Sequence, residues 1–434
     1  MGLLIGIGRS NPEFPYDHYY GIEWDVTVSN PKCTRIGKRE LHQSLPVQSL
    51  MRRCVLRDSG SIAYYLNATD SSKKADGLPS NLSGADGQVM VDIPDFYVRF
   101  EEEGDKRRCL ISQYNLPGFH LWNRCFVSAY EATIHRPTDK LSSIVNTTPD
   151  YRGGNNDASK DGHFNTLIGR PASMFSMDEA RLFARNRGSA NWNCYAYEVH
   201  KRLSWLFAVE YATFNSQEDF NAQPSTEGYK QGGLGIGVTN LTNWDSLFDT
   251  FPVVPCGITN RLGNRTGIMQ YDCIKADDGS IYQTLSVPSY RGVENPFGHI
   301  WKLTDGAKAI IYPRSAGRAS EFYVCRDKEK WGADGLTGYE LRGVVPQTSG
   351  YIREVILSED GETMPLKIGA GSTSYFCNDF STSDTDTNAL FSERILLMCG
   401  HTGSGFSGGL STTHVRWIRS SKGKAVGSRL CFIP

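Results

Sequence analysis

The stretch GGLSTTHVRWIRSSKGKAVGSRLCFIP, residues 408–434, decides how the fold is interpreted. Glycines frame a charged and aromatic segment, and the apolar run that follows has the pattern of a short strand. If the segment is itself a strand, Val415 and Trp417 lie on one side and His414 and Arg416 on the other. Two interpretations stay open: a core strand with solvated charges, or a surface that binds a ligand.

The composition is typical of a protein rich in strands and loops. The chain has 434 residues, enough for two or three domains, and contains 44 Gly, 21 Tyr and 8 Trp. These values favour a β or α+β protein over a helical bundle. The net charge is −1 and no basic block stands out, so we expect no nucleic-acid partner.

Cysteine usage and the first residues favour synthesis in a reducing cytoplasm. The eleven cysteines are an odd number and include no C-x-x-C pair, which indicates free, buried thiols rather than disulfides or a zinc site. The start, MGLLIGIGRSNPEF, lacks the basic region and cleavage site of a signal peptide. The sequence has no apolar run of eighteen residues, so we expect no membrane span.

Three regions are predicted along the chain. Residues 1–50 form an extended arm, in which IEWDVTV (22–28) has the pattern of a strand and needs a neighbouring chain to pack on. Residues 51–123 alternate apolar and polar side chains and predict a small β domain. Residues 124–434 form the remaining domain.

Two helices are predicted in the third region, before a long run of short strands and loops. SMDEARLFARNRG (176–188) has an S-x-x-E capping box at Ser176 and Glu179 and ends at a glycine suited to a helix C-terminus. NCYAYEVHKRLSWLFAVEYAT (193–213) carries an apolar stripe with helical spacing. The members of that stripe are Tyr195, Val199, Leu203, Leu206 and Val209.

Three stretches resemble a known fold. They are the helix pair, YRGVENPFGHIWKLTDG (290–306) and the Gly-rich tail that ends in Gly427–Leu430. Together they are similar to the C-type lectin fold, in the branch of formylglycine-generating enzymes and of the variable proteins of diversity-generating retroelements. The resemblance implies an α+β protein: a small N-terminal β domain followed by a C-type-lectin-like domain with two helices and many short strands and loops.

Two further stretches, DGQVMVDIPDFYVRF (86–100) and FVSAYEAT (126–133), resemble segments of proteins from tailed bacteriophages and prophages. The resemblance implies a virion protein of a tail or tail fibre that binds a bacterial surface protein or glycan. It also implies contacts with other virion proteins and a homotrimer. Two alternatives stay open, a purely structural virion protein and an enzyme of the formylglycine-generating type.

The candidate ligand-binding residues lie in the tail. Aromatic and arginine side chains dominate binding hot spots because they bury much area at low entropic cost. The candidates are His401, Ser404, Phe406, Ser411, Thr413, His414, Arg416, Trp417 and Arg419. In the retroelement-diversified proteins that the tail resembles, variable positions of this kind lie between fixed glycine and strand residues.

Calcium binding and cysteine catalysis have weaker support in the sequence. The acidic loop NDFSTSDTDTN (378–388) offers oxygen ligands for calcium, but a solvated loop is the preferred interpretation and we expect no metal or other cofactor. The enzyme branch uses a reactive cysteine pair, yet Cys377, Cys399 and Cys431 lie in no matching motif, and a nucleophilic thiol needs a lowered pKa. We therefore expect no enzymatic activity.

The turn in YRGVENPFGHIW is predicted to be structural. Glu294, Asn295 and His299 have side chains that could bind a ligand, but the surrounding glycines and proline indicate a tight buried turn. Trp301, which follows, is predicted to pack in the core.

Overall fold

Strands dominate the chain. In a computed structural model, 36% of the residues are in strands and 16% are helical. The structure describes residues 16–369, 379–382 and 391–434. The described residues contain four α-helices: α1 Arg39–Ser44, α2 Met177–Arg185, α3 Tyr197–Tyr211 and α4 Trp244–Leu247.

A sheet of fifteen strands runs through most of the chain. Its first members are β3 Arg52–Leu56, β4 Ile62–Tyr65, β5 Gln88–Ile93, β9 Cys125–Ser128, β12 Trp192–Ala196, β16 Trp301–Ile311, β17 Ser320–Val324 and β18 Glu340–Val345. The others are β19 Gly350–Leu357, β20 Glu362–Ile368, β21 Asp379–Ser381, β22 Ser392–Met398, β23 Thr413–His414, β24 Val426–Gly427 and β25 Leu430–Phe432. Along the sheet the order is β20-β19-β21-β23-β22-β16-β12-β25-β9-β5-β3-β4, with β17, β18 and β24 paired beside this path.

Three smaller sheets complete the structure. The largest has five strands in the order β2-β1-β7-β6-β8. They are β1 Tyr20–Asp25, β2 Thr34–Gly37, β6 Phe96–Glu103, β7 Lys106–Ser112 and β8 His120–Trp122. A two-stranded sheet holds β10 Thr133–His135 and β11 Lys140–Ser142, and a three-stranded sheet holds β13 Gly267–Ile274, β14 Ile281–Tyr290 and β15 Val293–Glu294.

The predicted fold class, a small β domain followed by a two-helix lectin-like domain, is wrong. The chain is dominated by several sheets, with few helices. Strands on both sides of residue 123 belong to the large sheet: Cys431 pairs with Val127, and Val127 pairs with Val91. The first pairing joins positions far apart in the sequence, and Val91, Val127 and Cys431 are buried in one core across the predicted division.

The capping box predicted at the start of the first helix is confirmed. Ser176 caps α2, its Oγ accepts from the Glu179 N–H, and the Glu179 carboxylate accepts from the Ser176 N–H at 2.7 Å. The second predicted helix begins later than expected, because Trp192–Ala196 forms strand β12. The remaining part, Tyr197–Tyr211, is almost entirely buried.

The N-terminal arm packs on its own chain. Strand β1 pairs with β7, and its Trp24 stacks on Trp205 of α3 with ring centres 5.6 Å apart. Ile22 is fully buried, whereas Val28, at the other end of the predicted strand, is exposed because the strand ends at Asp25. The described part of the arm, residues 16–50, therefore packs on a strand and a helix of its own chain.

Among the described residues, no helix combines the length and the apolar character that crossing a bilayer requires.

Candidate functional site

Five aromatic side chains meet at one surface, which we call the aromatic face. They are Trp244, Trp301, His401, His414 and Trp417, all partly exposed. The Trp301 ring lies 5.8 Å from His401 and 5.5 Å from His414, measured between ring centres. Trp417 meets His414 edge to face at 6.2 Å, and Trp244 meets His401 at 6.3 Å. The face thus has Trp301 at its centre and an aromatic ring on each side.

Backbone hydrogen bonds hold the loops that carry these rings. The Trp301 N–H at the start of β16 donates to the Ala425 carbonyl at 2.8 Å. The Thr402 N–H donates to the His299 carbonyl at 3.1 Å, and the Thr402 carbonyl accepts from the Leu241 N–H at 3.1 Å. These bonds join the backbone of the 240s, the start of β16 and the loop after β22, the segments that carry three of the five rings.

Both histidines present a neutral imidazole. The Nδ1 of His401 accepts from the Gly403 N–H at 3.1 Å, and the Nδ1 of His414 accepts from the Arg416 N–H at 3.2 Å. A neutral ring that accepts at Nδ1 carries its proton on Nε2. The pKa of each histidine is lowered to about 4, by burial for His401 and by burial together with the Arg416 charge for His414. Each ring therefore has an Nε2–H that can donate to a ligand.

Two more of the predicted residues lie in the same loops with exposed side chains. Phe406, in a short 3-10 turn at Gly405–Ser407, is 80% exposed, which is unusual for so large an apolar ring. Arg416 is exposed as well, and its carbonyl accepts from Arg394 at 3.1 Å. An isolated exposed phenylalanine needs no functional explanation, but one beside the aromatic face extends the surface available for binding.

Four of the nine predicted residues serve the framework instead. Ser404 Oγ accepts from the His401 N–H at 2.9 Å, and Thr413 is fully buried. Ser411 lines a different small cavity, against Trp205 of α3. Arg419 forms ion pairs with carboxylates outside the tail, at 2.8 Å to Asp178 and 2.7 Å to Asp334.

The predicted strand through residues 413–418 is much shorter, and this changes the position of Trp417. Strand β23 contains only Thr413 and His414, so alternation does not apply beyond His414. Val415 is fully buried as expected, whereas Trp417 is only half-buried and reaches the surface. The expectation that Trp417 packs with Val415 in the core is therefore wrong.

Sequence reasoning missed two members of the face. Trp301 was expected in the core, but it is the first residue of β16 and only partly buried. Trp244 begins the four-residue helix α4, among the polar residues Asn243, Asp245 and Ser246. That polar context is the one signal that indicated an exposed tryptophan, because apolar neighbours would accompany a core position.

The turn before Trp301 is structural, as predicted. Glu294, Asn295 and His299 are at most 2% exposed. His299 binds Glu131, and Lys302 forms an ion pair with the same carboxylate at 2.8 Å. Burial raises the pKa of Glu131, but Lys302 and His299 outweigh this effect and hold it at about 2. This buried ion network supports the strand that carries Trp301.

The thiols are not activated. Cys399 and Cys431 are fully buried, and burial raises their pKa to about 11 and about 12 respectively. A cysteine nucleophile requires the opposite shift. Cys377 lies outside the described residues, so the reactive pair of the enzyme alternative stays untested.

The acidic loop considered for calcium lies only partly within the described residues. Of the acidic loop, only residues 379–382 are described, and Asn378, Asp384, Asp386 and Asn388 lie outside the described residues. Across the described ranges no group of three or more histidine, cysteine, aspartate or glutamate side chains has the spacing to hold an ion.

Comparison with protein-family models gives no match to this chain, and comparison with curated protein sequences gives none either.

Proposed function

We propose that the chain is a binding protein that recognises a glycan of a bacterial surface receptor through the aromatic face. The observation that carries the proposal is the cluster of Trp301, His401, His414 and Trp417, whose rings are in contact and partly exposed. Partly exposed tryptophans combine a large apolar area with few rotatable bonds, which favours tight contacts.

The ring chemistry favours a saccharide over an apolar ligand. A pyranose has one face of C–H groups that packs on an indole ring, and hydroxyls at its edge that accept hydrogen bonds. The rings of His401 and His414 flank the Trp301 ring, and their Nε2–H groups can act as such donors. Two neutral imidazole donors on either side of the Trp301 ring suit an uncharged sugar. The polar atoms of the sugar need hydrogen-bond partners when water is displaced.

The place of the chain in a bacteriophage particle, its contacts with other virion proteins and a homotrimeric state stay predictions. Weak binding by one face suits such a particle, because several copies raise the overall affinity by avidity. The competing hypothesis is a purely structural virion protein whose aromatic face contacts only other virion proteins.

Truncation of the central ring tests glycan binding. Trp301→Ala should weaken binding to host cells or their isolated surface glycan by about tenfold or more, as expected for an aromatic anchor. Phe164→Ala is the matched control, because Phe164 is 61% exposed and lies outside the face. Circular dichroism establishes that both variants fold. Equal affinity of the wild type and Trp301→Ala would refute the proposal.

A triple variant at His414, Arg416 and Trp417 separates receptor binding from a structural role. Loss of host adsorption with intact particles supports receptor binding. Failed particle assembly by a folded triple variant supports the structural alternative.

A further inference from the structure

A second cavity lies away from the aromatic face, and none of the five face residues lines it. Its volume is about 1150 Å³. Strand β8, helix α3, the segment 326–331 and the last residues 433–434 form its walls. We call it the basic cleft, because cationic side chains outnumber carboxylates among the lining residues.

The cations of the basic cleft differ in whether a carboxylate lies close to them. Five cations line it, Arg124, Lys201, Arg202, Arg326 and Lys328, against three carboxylates, Asp95, Glu198 and Asp360. Three of the cations have close acidic partners: Arg124 binds Asp92 at 2.7 Å, Lys201 lies 3.4 Å from Glu362, and Arg326 pairs with Asp360. Arg202 and Lys328 are left with little compensation.

Arg202 is the decisive side chain. It is only 7% exposed, and its buried Nε has no hydrogen-bond partner among the described residues. Its nearest carboxylate, Glu198, is 4.0 Å away and lies closer to Lys201, at 3.3 Å. The guanidinium instead donates to the Glu198 carbonyl at 3.0 Å and lies over the Trp122 ring, 5.6 Å from its centre. Arg202 lines the cleft with no carboxylate closer than 4.0 Å, and a largely buried cation without a close anion is costly.

Lys328 is the second underused cation. Its Nζ donates to the backbone oxygens of Ile433 at 2.7 Å and Pro434 at 3.1 Å. The acceptors that the described residues provide for Nζ are thus oxygens of the last two residues, and the Glu329 charge acts on it without a direct bond. Burial lowers its pKa, which indicates a site where a bound anion would stabilise the charged form.

We propose that the basic cleft binds a ligand carrying an oxyanion, phosphate or carboxylate, with Arg202 as the main anion-binding side chain and Lys328 as a second cation. A planar guanidinium donates to two oxygens of such a group at once, and charge-assisted bonds of this kind are strong in a partly enclosed site. The cleft is large enough for a small organic anion, and Leu121, 45% exposed, provides an apolar patch on its wall.

Isothermal titration with inorganic phosphate tests the proposal, and D-glucuronate titrated in parallel distinguishes a phosphate from a carboxylate ligand. The wild type should bind at least one of them saturably. Arg202→Gln should weaken binding by about tenfold to a hundredfold, since hydrogen bonds to charged groups contribute about 1.5–3 kcal/mol. Lys328→Gln should weaken it by a smaller factor.

Arg416→Gln is the matched control, because it removes an exposed cation elsewhere and should leave anion binding unchanged. Trp301→Ala should also bind the anion normally, which keeps this test independent of the proposed glycan site. Lys328→Gln keeps the test decisive if Arg202→Gln does not fold. Absence of saturable binding to the wild type, or equal affinities for the wild type and both cleft variants, would overturn the proposal.

Discussion

Arg429 supports the framework beneath the aromatic face, and Arg429→Met tests how much. The side chain is fully buried and lies on the last loop before β25. Its guanidinium donates to the carbonyls of Ser128 at 3.1 Å, Asn295 at 2.6 Å and Glu294. It therefore joins strand β9 to the turn that leads to Trp301.

The expected change in the free energy of unfolding is the difference between two opposing contributions. Three charge-assisted bonds contribute roughly 1.5–3 kcal/mol each, which sets an upper range of about 4–9 kcal/mol. Methionine fills a similar volume and avoids the cost of burying a charge, which is several kcal/mol per ion. We expect a net loss of about 3 kcal/mol in the free energy of unfolding, because the three carbonyls lose their charged donor.

Urea denaturation followed by tryptophan fluorescence measures this loss from the midpoint and slope of the transition. Arg416→Met is the control, since an exposed arginine should change stability by no more than about 0.5 kcal/mol. A loss below about 1 kcal/mol for Arg429→Met would show that the buried guanidinium is dispensable, and the reasoning about the framework would fail.

Four further predictions concern two effects of pH, a helix end and a thiol. The pKa of His401 and His414 is about 4, below the ordinary value of 6.5, so glycan binding should stay constant from pH 8 to about 5 and decline near 4; a decline centred at 6.5 would contradict this. The unfolded chain binds more protons between these values, so the free energy of unfolding should fall as pH drops from about 6.5 to about 4, measured by urea titration at each pH. Ser176→Ala should cost about 1 kcal/mol in the same assay, and an unchanged midpoint would show that the cap contributes nothing. Cys399 should react with a thiol reagent only after denaturation, as mass spectrometry of the labelled peptide can show, because burial keeps it protonated.

Local signals in the sequence predicted local structure well. The S-x-x-E pattern places both ends of its hydrogen bonds within four residues, so Ser176 and Glu179 were identifiable without knowledge of the rest of the fold. The apolar stripe of α3 was equally visible, because its helical period does not depend on which strands it packs against.

Pairings between distant strands could not be predicted in this way. Residues 193–196 have the composition of a helix start, yet they form β12 because β25 and β16 provide hydrogen-bonding partners from the far end of the chain. Pairing of β5 with β9 places strands from both sides of residue 123 in one sheet, and the predominance of strands overturns the predicted fold class. Propensity over a short window carries no information about partners more than a hundred residues away.

The aromatic face shows why its central residue was the hardest to find. His401, His414 and Trp417 lie within one conspicuous stretch, whereas Trp301 comes from a segment whose glycines and proline indicate a buried turn. That turn is indeed buried, and its burial brings Trp301 to the surface: the ion network at Glu131, His299 and Lys302 fixes the strand start so that the next ring faces outward between the two histidines. If the network has this role, Glu131→Gln should weaken glycan binding while leaving phosphate binding in the basic cleft unchanged, and equal glycan affinity in a folded Glu131→Gln variant would show that the position of Trp301 is fixed by the backbone bonds alone.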